Sequence, residues 1–274
     1  MEKNLKTDDG LNLMVCIDQI LDAKAVVIII HGMGEHAGRY TGLRERLNSS
    51  GYSVMAFDHR GHGRSSGKRG HAPSYEHLMR DIEIMINESV QLFPGLPIFL
   101  FSQSMGANLS LNYTIRKKDS RVRGVIASSP YLRLAFNPPK WKITLGKMAS
   151  RIYPGLSQST GLEIKAISRI KEVVEKYKND PLVHDKITAS FFVNVNEAGE
   201  YAIQNAHEIK IPVLVLHGEA DRLTSAEASR ELVERSGDHV KGIFFRDGYH
   251  ELHNDIDSDS AYVEMISWIK STLI

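Results

Sequence analysis

Short runs of branched apolar residues, each ending in a polar cluster and each followed by a helical stretch, constrain this chain more than anything else in it. The runs fall at 25–30, 52–57, 98–101, 122–127 and 213–216. They are too short to be buried helices. They are also apolar on both alternations, as strands covered on both faces must be. Helical periodicity fills the intervals at 39–49, 75–93, 105–117, 226–235 and 261–272. Strand–helix alternation of this kind predicts a mostly parallel central sheet flanked by helices. At the front, Asp9-Gly10 reads as a hairpin turn feeding an alternating strand over 11–17. A last strand candidate lies at 243–246. Residues 131–207 break the rhythm: they carry Pro138-Pro139, Pro154-Gly155 and several amphipathic stretches, but no convincing buried strand. The expected organisation is a core over 1–130, a mainly helical cap inserted late in the sheet over 131–207, and the rest of the core over 208–274.

In such a sheet, ligands bind at the carboxyl ends of the strands, and here those ends are polar. They read His31-Gly-Met-Gly-Glu-His36, Asp58-His-Arg-Gly-His-Gly-Arg-Ser65, Ser102-Gln-Ser-Met-Gly106, His217-Gly-Glu-Ala-Asp221 and Asp247-Gly-Tyr-His250. Ser104, Asp221 and His250 thus follow one another as nucleophile, acid and base, the chain order of G-x-S-x-G hydrolases. Ser104 would sit on a strained strand-to-helix turn, His250 would take its proton, and Asp221 would orient the imidazole. The backbone N–H groups of Met105 and Met33 are the candidate oxyanion donors. Taken singly, Ser104 could be a helix cap, Asp221 could precede a capping box at Thr224-Ser-Ala-Glu227, and His250 could be a loop histidine. Three correct residue types at three correct strand ends favour the catalytic reading. Ser102 departs from the usual glycine, and its role is expected to be packing.

Other chemistries lack support. The Gly61-His-Gly-Arg-Ser-Ser-Gly67 loop has the wrong spacing for a dinucleotide fingerprint or a P-loop. H-E-x-x-H is absent, and His250-Glu-Leu-His253 lacks its spacing, so neither a metal nor an organic cofactor is expected. A net charge of +1 gives no pull toward nucleic acid. The one cysteine, Cys16, allows no intrachain disulfide. The first residues lack the apolar core of a secretory signal, and the longest apolar run is far below the roughly 20 residues of a membrane span. A cytoplasmic protein is expected; the oligomeric state is not readable.

His31 to Tyr40, Phe57-Asp-His-Arg-Gly-His-Gly-Arg-Ser-Ser-Gly67, Ser129-Pro130, Asn179-Asp-Pro-Leu-Val-His184 and Gly248-Tyr-His-Glu-Leu-His-Asn254 resemble segments of one family. This is the monoacylglycerol lipase and lysophospholipase group of α/β-hydrolases, which shades into the serine aminopeptidase-like families. The resemblance covers nearly the whole chain and is weakest in the cap. It implies an α/β-hydrolase fold, the triad Ser104, Asp221 and His250, and the Met33 and Met105 amides as oxyanion hole. It also implies Glu35, Arg39 and His253 near the glycerol end of a substrate, the alternative being a salt-bridge network beneath the loop.

The expected activity is hydrolysis of medium- or long-chain carboxylic esters, with monoacylglycerol or lysophospholipid as substrate. A peptidase or amidase with the same triad, and a noncatalytic ligand-binding protein of this fold, are the alternatives. Epoxide hydrolases and dehalogenases are disfavoured because their nucleophile is aspartate. Within the cap, Trp141, Leu145, Met148, Ala149 and Ile152 share a helical face, flanked by Lys140, Lys147 and Arg151. This stripe is expected to close over an acyl pocket as a lid or, alternatively, to touch a lipid surface. Gly146 would loosen the helix.

Overall fold

A computed structural model describes residues 1–136, 148, 150 and 152–274. The front hairpin joins β1 (Glu2–Lys6) to β2 (Asn12–Asp18) around Asp9-Gly10, with Gly10 at φ 86°. The core then alternates as its apolar runs dictate: β3 (Ala25–Ile30), α1 (Thr41–Ser49), β4 (Tyr52–Phe57), α2 (Tyr75–Leu92), β5 (Ile98–Gln103), α3 (Met105–Lys117) and β6 (Val122–Ser128). After the insertion come β9 (Val213–Gly218), α6 (Ala226–Arg235), β10 (Val240–Phe245) and α7 (Ser258–Leu273). The eight strands run in the order β1-β2-β4-β3-β5-β6-β9-β10, parallel from β4 to β10.

Every residue of β3, β4, β5 and β9 is buried, because helices cover both faces. On one face Leu43 and Leu47 of α1 and Met265 and Ile269 of α7 pack on Val27, Ile29 and Leu214. On the other, Ile82 of α2, Leu109 of α3 and Leu232 of α6 pack on Ile28, Leu100 and Val215. This two-sided burial is the main favourable term holding the sheet.

Three strands extend past their apolar runs, β6 by the single residue Ser128. β5 continues through Ser102 and Gln103, and β9 through His217 and Gly218, with the ladder pairing intact. The last strand starts at Val240, ahead of the 243–246 candidate, because an edge strand is only half covered and needs no continuous apolar run.

The described part of 131–207 holds β7 (Ser157–Ser159), α4 (Lys171–Asn179), β8 (Lys186–Thr188) and α5 (Ala189–Gln204). β7 and β8 form an antiparallel ribbon absent from the sequence expectation, and all three β7 residues are exposed. Helix α5 leans on α3, where Asn108 and Asn112 donate to the carbonyls of Val195 and Ala198 (3.1 and 2.9 Å). In the expected lid stripe, Trp141, Leu145 and Ala149 lie outside the described residues, as do Lys140, Gly146, Lys147 and Arg151. Met148 and Ile152 are described and exposed.

Candidate active site

β5 pairs with β3 on one side and β6 on the other, so its carboxyl end opens at the centre of the sheet. There the chain turns within one residue from strand to helix. Ser104 makes the turn at φ 54° and ψ −113°, a backbone region that L-residues rarely occupy and that costs on the order of 1–3 kcal/mol. Its carbonyl accepts from the N–H groups of Asn108 and Tyr131 (3.0 Å each), and its own N–H donates to Ser128 (2.9 Å). Gly106 lets α3 start hard against β3: a Cβ there would stand 2.1 Å from the Ile30 carbonyl oxygen. Ser102 is accommodated because its hydroxyl turns to the neighbouring strand and donates to the Ile126 carbonyl (3.0 Å).

Asp221 follows β9 and His250 follows β10, adjacent strands in the sheet, so the two side chains meet. His250 Nδ1 lies 2.7 Å from Asp221 Oδ2. Asp221 also accepts from the backbone N–H groups of Leu223 (2.7 Å) and Thr224 (3.1 Å) and from the Thr224 hydroxyl (2.8 Å), while His217 Nε2 stands 3.2 Å away. Burial works against ionisation of Asp221, but these partners outweigh it and hold the carboxyl far below the usual carboxylate range. Burial also works against the charged form of His250, yet the Asp221 charge wins and its pKa is raised. Gln103, beside Ser104, donates from its side chain to the His250 carbonyl (2.8 Å), which joins the serine turn to the histidine loop.

The first polar strand end forms the opposite wall. His31 Nδ1 reaches the Gly32 carbonyl (2.7 Å), and His31 Nε2 accepts from the His59 N–H (2.9 Å); burial pushes its pKa down to about 3, so the ring is neutral. Gly32 lies directly beside the serine, since a Cβ on it would meet Ser104 Cβ at 3.3 Å and Glu35 Oε1 at 2.8 Å. Met33 follows, half-buried, and Met105 is the first residue of α3. The loop is held from the insertion side as well, where His184 N–H donates to Gly34 (2.8 Å) and His36 Nε2 meets Asp180 (2.9 Å).

Glu35 and Arg39 are brought together and occupied. Glu35 accepts from the Gly32 N–H (2.7 Å), the Tyr40 hydroxyl (2.6 Å) and Arg39. Arg39 also forks onto Glu251 (2.7 Å twice), and Tyr177 of α4 covers its guanidinium at 4.5 Å. His253 stacks on Tyr40, its ring nitrogens both enclosed and without a hydrogen-bond partner.

Three participants escaped the sequence. Thr224 was expected to open a capping box, but the cap of α6 is Ser225, whose hydroxyl accepts from Ala228 (3.1 Å), while Thr224 turns to Asp221. His217 and Glu251 stand within the polar strand-end motifs, and no local signal sets them apart. Among the described residues, no group of three or more histidines, cysteines or acids is disposed to hold a metal ion. No described helix is long and apolar enough to cross a membrane.

A serine driven to positive φ between a parallel strand and a helix is the device by which α/β-hydrolases raise one side chain above the sheet, and this chain has their fold. Within that class it belongs to the family described as serine aminopeptidase, S33, whose model matches residues 22–257. It is 32% identical over 254 residues to a monoacylglycerol lipase of Mycolicibacterium smegmatis, covering 92% of this chain and 90% of that one. The crystal structure of Paleococcus ferrophilus monoacylglycerol lipase superposes with a TM-score of 0.88 at 38% identity, over 95% of this chain and 99% of that one. An abhydrolase domain-containing protein of Dictyostelium discoideum is 33% identical over 251 residues; the chain spans only 26% of its length. The family resemblance drawn from the motifs is thereby borne out.

Proposed function

We propose that the protein is a serine hydrolase of medium- and long-chain carboxylic esters, with monoacylglycerol as its leading substrate and lysophospholipid next. The observation that carries this is the 2.7 Å bond from His250 Nδ1 to the buried Asp221 carboxylate, in a loop tied to the Ser104 turn. With its proton on Nδ1, the neutral ring offers Nε2 as a base. Ser104 Oγ attacks the ester carbonyl as its proton passes to His250 Nε2. The oxyanion is met by the N–H groups of Met33 and Met105. Collapse breaks the ester bond, His250 returns the proton to the leaving alcohol, and an acyl-enzyme remains. Water then repeats the sequence, with His250 again the base, and releases the fatty acid.

In this reading the segment 131–207 is a cap, supported by its grip on the oxyanion loop through Tyr177, Asp180 and His184. Glu35 and Arg39 serve the site from beneath, being engaged with each other, with Gly32 and with Glu251. His253 stacks on Tyr40 with both ring nitrogens enclosed, so it too serves the site from beneath rather than meeting the substrate's hydroxyls.

The test is a graded series of p-nitrophenyl esters and monoacylglycerols, run beside fluorophosphonate labelling. Wild type should label and prefer acyl chains longer than acetyl. Ser104→Ala should lose labelling and fall by about four orders of magnitude or more in kcat/KM. Labelling that survives in Ser104→Ala rejects the assignment, and arylamides turned over faster than matching esters would replace the esterase with an amidase.

A further inference from the structure

Glu251 follows His250 in the chain, is buried, and has no part in the mechanism above. Its carboxylate takes both terminal nitrogens of Arg39 (2.7 Å each) and the Asn254 amide (3.0 Å). Arg39 passes the connection to Glu35, and Glu35 holds the Gly32 N–H beside Ser104. A continuous line of charge-assisted hydrogen bonds therefore runs from the residue after His250 to the loop that bears the Met33 amide. The Glu251 N–H donates to Ile167 (2.8 Å), so the insertion is attached at the same point.

The charges in this line do not balance. Two carboxylates share one guanidinium, and the side chains of Glu35, Arg39 and Glu251 are only 5, 8 and 4% exposed, so solvent screens the surplus poorly. The titratable side chains described against the cluster, Tyr40, Tyr177 and His253, do not cancel it. Burial raises the Tyr40 and Tyr177 hydroxyls well above their ordinary range, and burial lowers His253, so all three are neutral at pH 7. Burial works against the charge on Glu251, but the Arg39 charge and its bonds outweigh it and hold the carboxyl down to about 2. A structural ion pair needs one carboxylate; the second has to be explained.

We propose that Glu251 is a positioning residue that also acts electrostatically. Through Arg39 and Glu35 it fixes the histidine loop to the oxyanion loop, and the cluster's unbalanced negative charge supports His250 while it carries the serine's proton. The groups facing His250 are Asp221 and the Thr224 hydroxyl, with His217 behind Asp221, on the strand β9 side; Glu251 and His253 on its own loop; and Glu35, joined to Arg39, on the oxyanion side. After burial and Asp221, it is Glu251 and then Glu35 that act on its titration, both in the direction that raises it. General-base attack converts a buried neutral ring into an imidazolium, so a fixed negative charge lowers that barrier without touching the substrate.

The inference rests on the triad proposed above, and its test separates the two. Glu251→Gln keeps the size and one oxygen for Arg39 but removes the charge. The acid limb of kcat/KM, and of the fluorophosphonate labelling rate, should move down by about one pH unit. Plateau kcat should fall about tenfold, with KM within about twofold. Glu251→Asp, which retains the charge, should return the acid limb to its wild-type position. If Glu251→Gln does not fold, Glu35→Gln removes the same surplus from the other end and must shift the limb in the same direction. A folded variant of either kind with a lowered Tm and an unmoved acid limb reduces the cluster to a structural clamp and overturns the inference. Labelling that persists in Ser104→Ala rejects the triad and this inference together, whereas a sound triad with an unmoved limb rejects this inference alone.

Discussion

Gly106→Ala sets two physical effects against each other. In a helix, alanine is favoured over glycine by about 1 kcal/mol, so propensity alone makes this substitution in α3 stabilising. The position decides otherwise. The new Cβ would stand 2.1 Å from the Ile30 oxygen, 2.7 Å from the His31 oxygen and 2.8 Å from the Ile30 carbonyl carbon, all of them backbone atoms. The nearest contact is more than 1 Å short of the 3.4 Å at which ordinary contact begins, and no side chain can turn aside to relieve it. Either α3 retreats from β3 or the strand end bends, at an overpacking cost of about 3 kcal/mol. The net destabilisation is then about 2 kcal/mol, which lowers Tm by about 4–6 °C for a domain of this size. Activity should suffer more than stability, because a displacement near 1 Å carries Ser104 with it and costs about 100-fold in turnover. Gly42→Ala is the control: it lies in α1 with nothing within 4 Å, and should leave turnover unchanged and Tm unchanged or slightly raised. Thermal unfolding and p-nitrophenyl ester turnover read both variants. A Gly106→Ala protein as stable as wild type and within twofold of its activity would refute the close approach of α3 and β3 as the constraint on the elbow.

Because the His250 pKa is raised and only its neutral ring accepts a proton, kcat/KM should rise with pH through a single ionisation whose midpoint lies above the ordinary 6.5 of histidine, as a pH–rate profile of a soluble short-chain ester will read. A profile flat from about pH 5 to 9, with chemistry rate-limiting, removes His250 as the base. Exposed Phe136, Met148, Ile152, Tyr153, Leu156 and Leu162 cluster in or beside the cap segment in sequence and suit contact with a lipid surface, so the protein should co-sediment with anionic vesicles at low salt. Ile152→Ser with Leu156→Ser should lose that binding while short soluble esters are still hydrolysed; wild type that stays in the supernatant excludes the surface role.

The sequence carried the sheet because full burial leaves a mark: runs such as Ala25–Ile30 are apolar at every position, and only a strand covered on both faces requires that. It offered Ser104, Asp221 and His250 as candidates because chain order and strand ends are themselves sequence properties, and the structure brings the last two into contact. What it withheld depends on partners distant in the chain. Arg39 and Glu251 meet across 212 residues, and neither has a neighbour in sequence that announces the other. Thr224 and Ser225 are adjacent and both suit a helix cap; only the position of Asp221 in space decides which one caps α6 and which one turns to the carboxylate. The β7–β8 ribbon is exposed along β7, so no apolar pattern betrays it.

The backbone of Ser104 has no hydrogen-bonding capacity left to vary. Its N–H is given to Ser128, its carbonyl is held by Asn108 and Tyr131, and its φ and ψ are locked in a conformation that relaxes only if strand and helix part. The hydroxyl proposed to attack is left with one soft torsion about the Cα–Cβ bond, so approach to a bound ester is a rotation about a fixed pivot. The entropy of finding that pivot is lost once, when the sheet folds, and is not lost again at each turnover.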